Sequence, residues 1–168
     1  MSIKQSLEYF ANEVINRSRS NLTQKKKNTT KELYNSLSYE LKVSKNSFQL
    51  AFLMEDYGKF VDKGVKGKES SLKAPNSPFK YKDKKPSYKH FVQWVARKGL
   101  AGTRNKKGQF VSRKGLAYAV ANSVYLKGIE TTLFFTKPFE NAFKRLPDDL
   151  VESYALDVEQ FLNYSLNK

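Results

Sequence analysis

Apolar residues near the start of the chain recur at close to a helical period. Ile3, Leu7, Phe10 and Val14, with Leu22 further on, stand among Asn, Arg and Ser, which predicts an amphipathic helix beginning around Ser2. The run Lys25-Lys26-Lys27-Asn28 interrupts that pattern, and Leu33 with Leu37 extends or restarts a helix. The period then changes to two. Leu37, Tyr39, Leu41 and Val43 alternate with Ser38, Glu40 and Lys42, as in a half-buried strand. Ser44-Lys45-Asn46 reads as a turn, and residues 47–53 as a returning strand with Phe48, Leu50 and Phe52 on one face, so a β-hairpin is expected. Tyr57, Phe60 and Val61 carry the spacing of a short helix ending near Gly64.

The middle of the chain loses this regularity. Gly67, Pro75, Asn76, Pro78 and Pro86 among many lysines predict an extended loop over residues 65–86. Ser87 is a suitable N-cap for a helix to about residue 98, with Phe91, Trp94 and Val95 on its face and Gly99 closing it. Residues 102–114 form a second basic loop, and Leu116, Ala119, Val120 and Val124 mark a helix ending at Gly128. Residues 131–136 favour an extended segment. Pro138-Phe139 starts a short helix at proline's preferred first position. Asp148-Asp149 opens a last helix with Leu150, Tyr154, Val158, Phe161 and Leu162 as its apolar face. The expected fold is α+β: an N-terminal helix, an antiparallel β-hairpin packed by helices, a long basic loop-rich insertion over 65–114, and a C-terminal helix. Residues 1–168 read as a single domain.

Composition supports a folded chain. At 168 residues, with 39% hydrophobic and 14% aromatic content, the protein has enough apolar mass for a core. It has no cysteine, which excludes disulfides, thiolate metal sites and a cysteine nucleophile. No stretch approaches the ~20 apolar residues of a membrane span, and the N-terminus lacks a continuous apolar signal core, so neither membrane insertion nor secretion is expected. Charge adds something the apolar pattern does not. The net charge is +15, and between Lys59 and Lys114 seventeen Lys and Arg face only Asp62, Glu69 and Asp83. From Arg145 to Lys168 the balance reverses, with two basic residues against five acidic ones.

Candidate chemistry is sparse. His90 is the only histidine, so neither a Ser-His-Asp triad nor a His-rich metal site is indicated, and an ordinary surface or half-buried residue is expected. Glu40-Leu41-Lys42 has the Glu-x-Lys spacing of many metal-dependent nucleases, with Glu13 or Glu32 as substitutes for the missing upstream acid. Strand alternation alone also places polar residues at 40 and 42. Gly64-Val65-Lys66-Gly67-Lys68 lacks the spacing of a nucleotide-binding phosphate loop. Basic residues interleaved with Phe79, Tyr81, Tyr88 and Phe110 suit phosphate contacts with base stacking, or equally an interface with an acidic neighbouring subunit. No catalytic, cofactor-binding or metal-binding residue is assigned, and an enzyme is not expected. The leading partner-facing or DNA-facing residues are Lys66, Lys68, Lys73, Lys106, Lys107, Arg113 and Lys114.

Two longer stretches carry more information. The segment Met54-Glu55-Asp56-Tyr57-Gly58-Lys59-Phe60-Val61-Asp62-Lys63-Gly64 resembles the tyrosine, hydrophobic, acid and glycine step after the hairpin in neck and tail-completion proteins of tailed bacteriophages. The segment Gly128-Ile129-Glu130-Thr131-Thr132-Leu133-Phe134-Phe135-Thr136-Lys137-Pro138-Phe139-Glu140-Asn141-Ala142-Phe143 is similar to that family's closing motif, a Gly-Ile turn, an aromatic pair and Pro-Phe leading into a terminal helix. The resemblance covers the order of elements along most of the chain, and the basic insertion departs from shorter members. It implies a structural virion protein at the head–tail joint, made in the bacterial cytoplasm. It also implies a homo-oligomeric ring, six- or twelve-fold, that meets portal or adaptor and tail proteins, lines or extends the DNA channel, and touches packaged DNA without sequence preference. No cofactor and no membrane belong to that picture. The alternative is a basic protein that binds nucleic acid directly.

Overall fold

Ser2 and Gln5 cap one another at the head of the first helix, α1 (Ile3–Gln24). The Ser2 hydroxyl accepts from the Gln5 amide, and the Gln5 side chain accepts from the Ser2 amide at 2.9 Å. This reciprocal pair satisfies two donors that a helix start leaves unbonded. The structure, a computed structural model, describes residues 2–44, 47–100 and 104–155. Its order is α1, α2 (Glu32–Ser36), β1 (Ser38–Ser44), β2 (Ser47–Leu53), α3 (Gly58–Lys63), β3 (Val65–Lys66), α4 (Lys89–Arg97), α5 (Arg113–Lys127), β4 (Gly128–Ile129), α6 (Thr136–Phe143), and a helix over 146–155, here α7. The fold is α+β, as the sequence predicts. Contacts gather into two compact units, residues 1–55 with 134–168, and residues 56–133.

The first unit is built on the apolar stripe of α1. Leu7, Phe10 and Val14 are buried there with Ala142 of α6 and Leu146 of α7, and Leu41, Leu50 and Phe52 of the hairpin pack on them. Each of the buried Leu, Phe and Val side chains contributes about 1.5–3 kcal/mol by leaving water. The hairpin register explains how its inner face forms: Tyr39 stands opposite Phe52 and Leu41 opposite Leu50, while Val43 and Phe48, opposite one another nearer the turn, are exposed. Phe10 sits at the centre of an edge-to-face set, 6.0 Å from the Phe52 ring, 5.8 Å from Phe139 and 6.4 Å from Phe143. Arg19 of α1 donates to the carbonyls of Tyr34 and Leu37 at 3.1 and 3.0 Å, satisfying the end of α2.

Several boundaries differ from the sequence expectation. Leu37 is the C-cap of α2, so the strand begins one residue later. Thr136 is already helical, so the extended segment is shorter than expected and Pro138 is the third residue of α6 rather than the first. A proline fits there because amides in the first turn have no helical partner. α7 begins at 146, two residues before the Asp pair. The turn at Lys45-Asn46 and the apolar residues Val158, Phe161 and Leu162 lie outside the described residues.

In the second unit, β3 pairs antiparallel with β4, Val65 opposite Ile129 and Lys66 opposite Gly128. α4 and α5 pack together, burying Val95, Ala117 and Ala121. The buried stripe of α5 is therefore small. Leu116, Val120 and Val124 are half-buried and Ala119 is exposed, against the expected face.

The segment expected as a loop over 65–86 is held by backbone hydrogen bonds as well as by the burial of Val65 and Ala74. The Lys66 amide donates to Phe79 at 2.8 Å, and the Tyr81 amide returns to Lys66 at 2.9 Å. The amides of Lys68 and Ser70 donate to the Tyr125 and Leu126 carbonyls at the end of α5, at 2.8 and 3.2 Å. Arg113 and Lys114 also belong to a helix rather than to a loop. They form the first turn of α5, where Ser112 is the N-cap and accepts from the Gly115 amide at 3.0 Å.

Candidate functional site

The two stretches that carried the family resemblance meet within the second unit. The Asp62 carbonyl accepts from the amides of Thr132 and Leu133 at 3.1 and 2.9 Å. The hydroxyls of Thr131 and Thr132 donate to the carbonyls of Lys63 and Val61 at 2.7 and 2.6 Å. Gly64 and Gly128 flank the paired strands, with φ of 72° and 82° and ψ near 180°. That backbone region is open essentially to glycine alone. A Cβ on Gly64 would stand 2.6 Å from the Ile129 carbonyl oxygen, so these glycines serve close approach of two chain segments. This accounts for the glycines of 64–68 without any bound phosphate.

All seven basic candidates lie in the second unit, but they do not form one cluster. Lys66 is half-buried on β3. Lys68 is exposed, with its ammonium 5.6 Å from the centre of the Tyr125 ring and 3.8 Å from the Asp83 carboxylate. The Tyr125 side chain is the main cause that raises its pKa above the usual lysine value, with Asp83 and Glu69 adding to it. Lys73 is exposed beside the same junction, where its carbonyl accepts from the Thr131 amide at 3.0 Å. Lys106 and Lys107 occupy a separate exposed turn, in which the Asn105 side chain accepts from the Lys107 and Gln109 amides at 2.9 and 3.0 Å. Arg113 and Lys114 stand at the opposite end of α5 from Lys68, about 16 Å along the helix at 1.5 Å per residue.

Aromatic rings accompany these cations. The Arg104 guanidinium lies 4.3 Å from the centre of the Phe110 ring, which is 70% exposed. Tyr88 stacks on Tyr118 at 4.0 Å, and the Lys114 ammonium lies 5.6 Å from the Tyr88 ring. Arg113 and Lys114 occupy the positive end of the α5 dipole, where cations are disfavoured by about 0.3–1 kcal/mol each. The fold thus carries cations at a position where its own electrostatics oppose them.

The sequence left one feature undetected, an open apolar groove of about 670 Å³ in the second unit. Phe60, Val65, Phe79 and Ile129 line it, with Lys80 and Lys82 on its wall. Phe60 meets Phe79 edge-on at 4.8 Å, so Phe79 is part of a groove wall rather than an isolated stacking platform. Tyr81 shares the wall, and burial raises its phenol above the ordinary tyrosine pKa. Sequence periodicity gave no sign of this groove because its walls come from three segments far apart in the chain, joined largely by backbone hydrogen bonds. The nearest signal was the alternation Phe79-Lys80-Tyr81.

The residues considered for nuclease chemistry are placed apart in role. Glu40 and Lys42 are exposed on β1. The Glu13 carboxylate is engaged by Arg17 and Arg145, at 2.8 and 2.6 Å. His90 is exposed on α4. Among the described residues, no three His, Asp or Glu come together as metal ligands, and no helix is long and apolar enough to cross a membrane. Charge divides unequally between the units: eighteen Lys and Arg against five Asp and Glu in the second unit, thirteen against eleven in the first. Compared with known families, curated proteins and solved structures, the chain finds no significant match.

Proposed function

We propose that this chain is a structural subunit of the head–tail joint of a tailed bacteriophage, repeated in a ring that continues the DNA channel. The observation that carries the reading is the junction of the second unit: residues 61–66 and 128–133, which include parts of both family-like stretches, are tied together by paired strands and threonine side chains. From that junction springs a unit with a large positive excess, held on a hydrogen-bonded frame. Its cations at the α5 N-terminus are opposed by the local dipole, and a negative partner offsets that cost. Acidic surfaces of neighbouring virion proteins and the phosphates of channel DNA both supply one. Native mass spectrometry with electron microscopy of the purified protein, alone and with portal and tail components, tests the reading. Closed rings, or rings formed on those components, are expected; a protein that stays monomeric in every mixture overturns it.

Direct nucleic-acid binding is the second reading. It is favoured by the exposed Phe110 beside Arg104 and by the Tyr88–Tyr118 stack beside Lys114. It predicts tight binding to single strands by the monomer, falling steeply as salt rises.

A further inference from the structure

α7 carries apolar residues on two faces. Leu146, Leu150 and Ser153 face the core of the first unit, where the Ser153 hydroxyl meets that of Ser6. On the other side Val151 is 70% exposed and Tyr154 is 63% exposed. Val151 and Tyr154 stand about one helical turn apart as an outer stripe, with the exposed Asp148 and Glu152 beside it. An isolated exposed valine needs no explanation, but an exposed valine and tyrosine one turn apart, with two carboxylates along their edge, have the form of a surface that is covered in the working state.

The groove of the second unit has the reciprocal character. Its floor is apolar, from Phe60, Val65, Phe79 and Ile129, its wall carries Lys80 and Lys82, and none of the residues lining it is acidic. We infer that the outer stripe of the terminal helix of one copy seats in this groove on the next copy. Val151 and Tyr154 enter the apolar floor, and Asp148 and Glu152 meet Lys80 and Lys82. This is the helix-in-groove mode of recognition, in which apolar anchors supply the energy while charges set register and suppress wrong partners. Because stripe and groove are different patches of one chain, the contact is heterologous and propagates from copy to copy. The inference rests on the ring reading and names the pair of surfaces that would close it.

The cysteine-free chain allows a direct test. One preparation carries Val151→Cys and another Lys82→Cys. The two are mixed and treated with a short bismaleimide, and particle mass is measured on the same samples. A covalent two-chain product is expected in the mixture and in neither preparation alone. Lys80→Glu with Lys82→Glu, tested with the second cysteine moved to Tyr57, should lower that product at least tenfold. Adding Asp148→Lys and Glu152→Lys should restore it, and a restored cross-link excludes misfolding as the cause of the loss. A sample that stays monomeric overturns the ring reading and this pairing together. Rings without the mixed product overturn the pairing alone, as does a cross-link indifferent to the charge exchange. A product formed only when both cysteines are on one chain also overturns it.

Discussion

Gly67 lies against the carbonyl of Leu126, so close that a Cβ at position 67 would overlap it. The contact fastens the basic segment to the last turn of α5, where the amides of Glu69 and Ser70 also donate to Leu126, both at 3.2 Å. Gly67→Ala should therefore push the two segments apart and cost about 1–3 kcal/mol, the usual range for overpacking. The denaturant midpoint of the purified variant measures this. An unchanged midpoint would show that the segment can shift without loss.

Phe10→Ala should be among the most damaging substitutions in the first unit, at about 3–5 kcal/mol, because it empties the centre of the aromatic set. Phe143→Ala, at a residue half-exposed on the rim of the same set, should cost distinctly less. Urea unfolding of the pair checks the ranking, and equal losses would contradict the packing described.

Reversing Lys106, Lys107 and Arg113 to glutamate should separate folding from association. None of the three side chains takes part in a described hydrogen bond that holds the fold, and a glutamate at position 113 suits the positive end of α5. Thermal stability should stay level or rise slightly, while incorporation into particles falls and becomes strongly salt-dependent. Assembly at wild-type yield across low and moderate salt would mean that these charges are merely solvated.

Tyr81 gives a pH signature. Burial raises its phenol, so the folded protein keeps that proton to a higher pH than the unfolded chain, whose tyrosine titrates near 10.0. Above that value the unfolded state binds fewer protons than the folded one, and stability falls as pH rises. Tyr81→Phe should flatten this alkaline decline in urea midpoints measured from about pH 9 to 11. An unaltered slope would show that the groove wall leaves the phenol in water.

The α1 stripe and the hairpin were legible because each buries one face with a strict period. Tyr39 and Leu41, opposite Phe52 and Leu50, specify a register that a slip of one residue would invert. The second unit was less legible. Its order comes from backbone bonds between distant segments, such as Thr131 to Lys73 and Tyr81 to Lys66, and such bonds leave no side-chain pattern. The buried face of α5 was misplaced because Ala117 and Ala121 carry it, and alanine does not stand out against the larger Leu116 and Val120. The concentration of basic residues in the middle of the chain is a property of the sequence itself. Their separation into the α5 N-terminus, the junction at its C-terminal end and the turn over 105–109 is not visible in the sequence, where Arg113 and Lys114 read as loop residues although Ser112 caps a helix that contains them.

The core of the first unit is shared by α1 and by α6 and α7, with the whole of the second unit lying between them in the chain. On a ribosome adding ~5–20 residues per second, Phe10 is made roughly 6 to 26 seconds before Phe139. Among the described residues the hairpin gives early cover: Leu41, Leu50 and Phe52 arrive soon enough to shield the α1 stripe on one side. The other side waits exposed while the strongly cationic middle is translated. A nascent chain stalled before α6 is thus a sticky, incomplete half, and its dependence on holdase chaperones should be greatest in that interval.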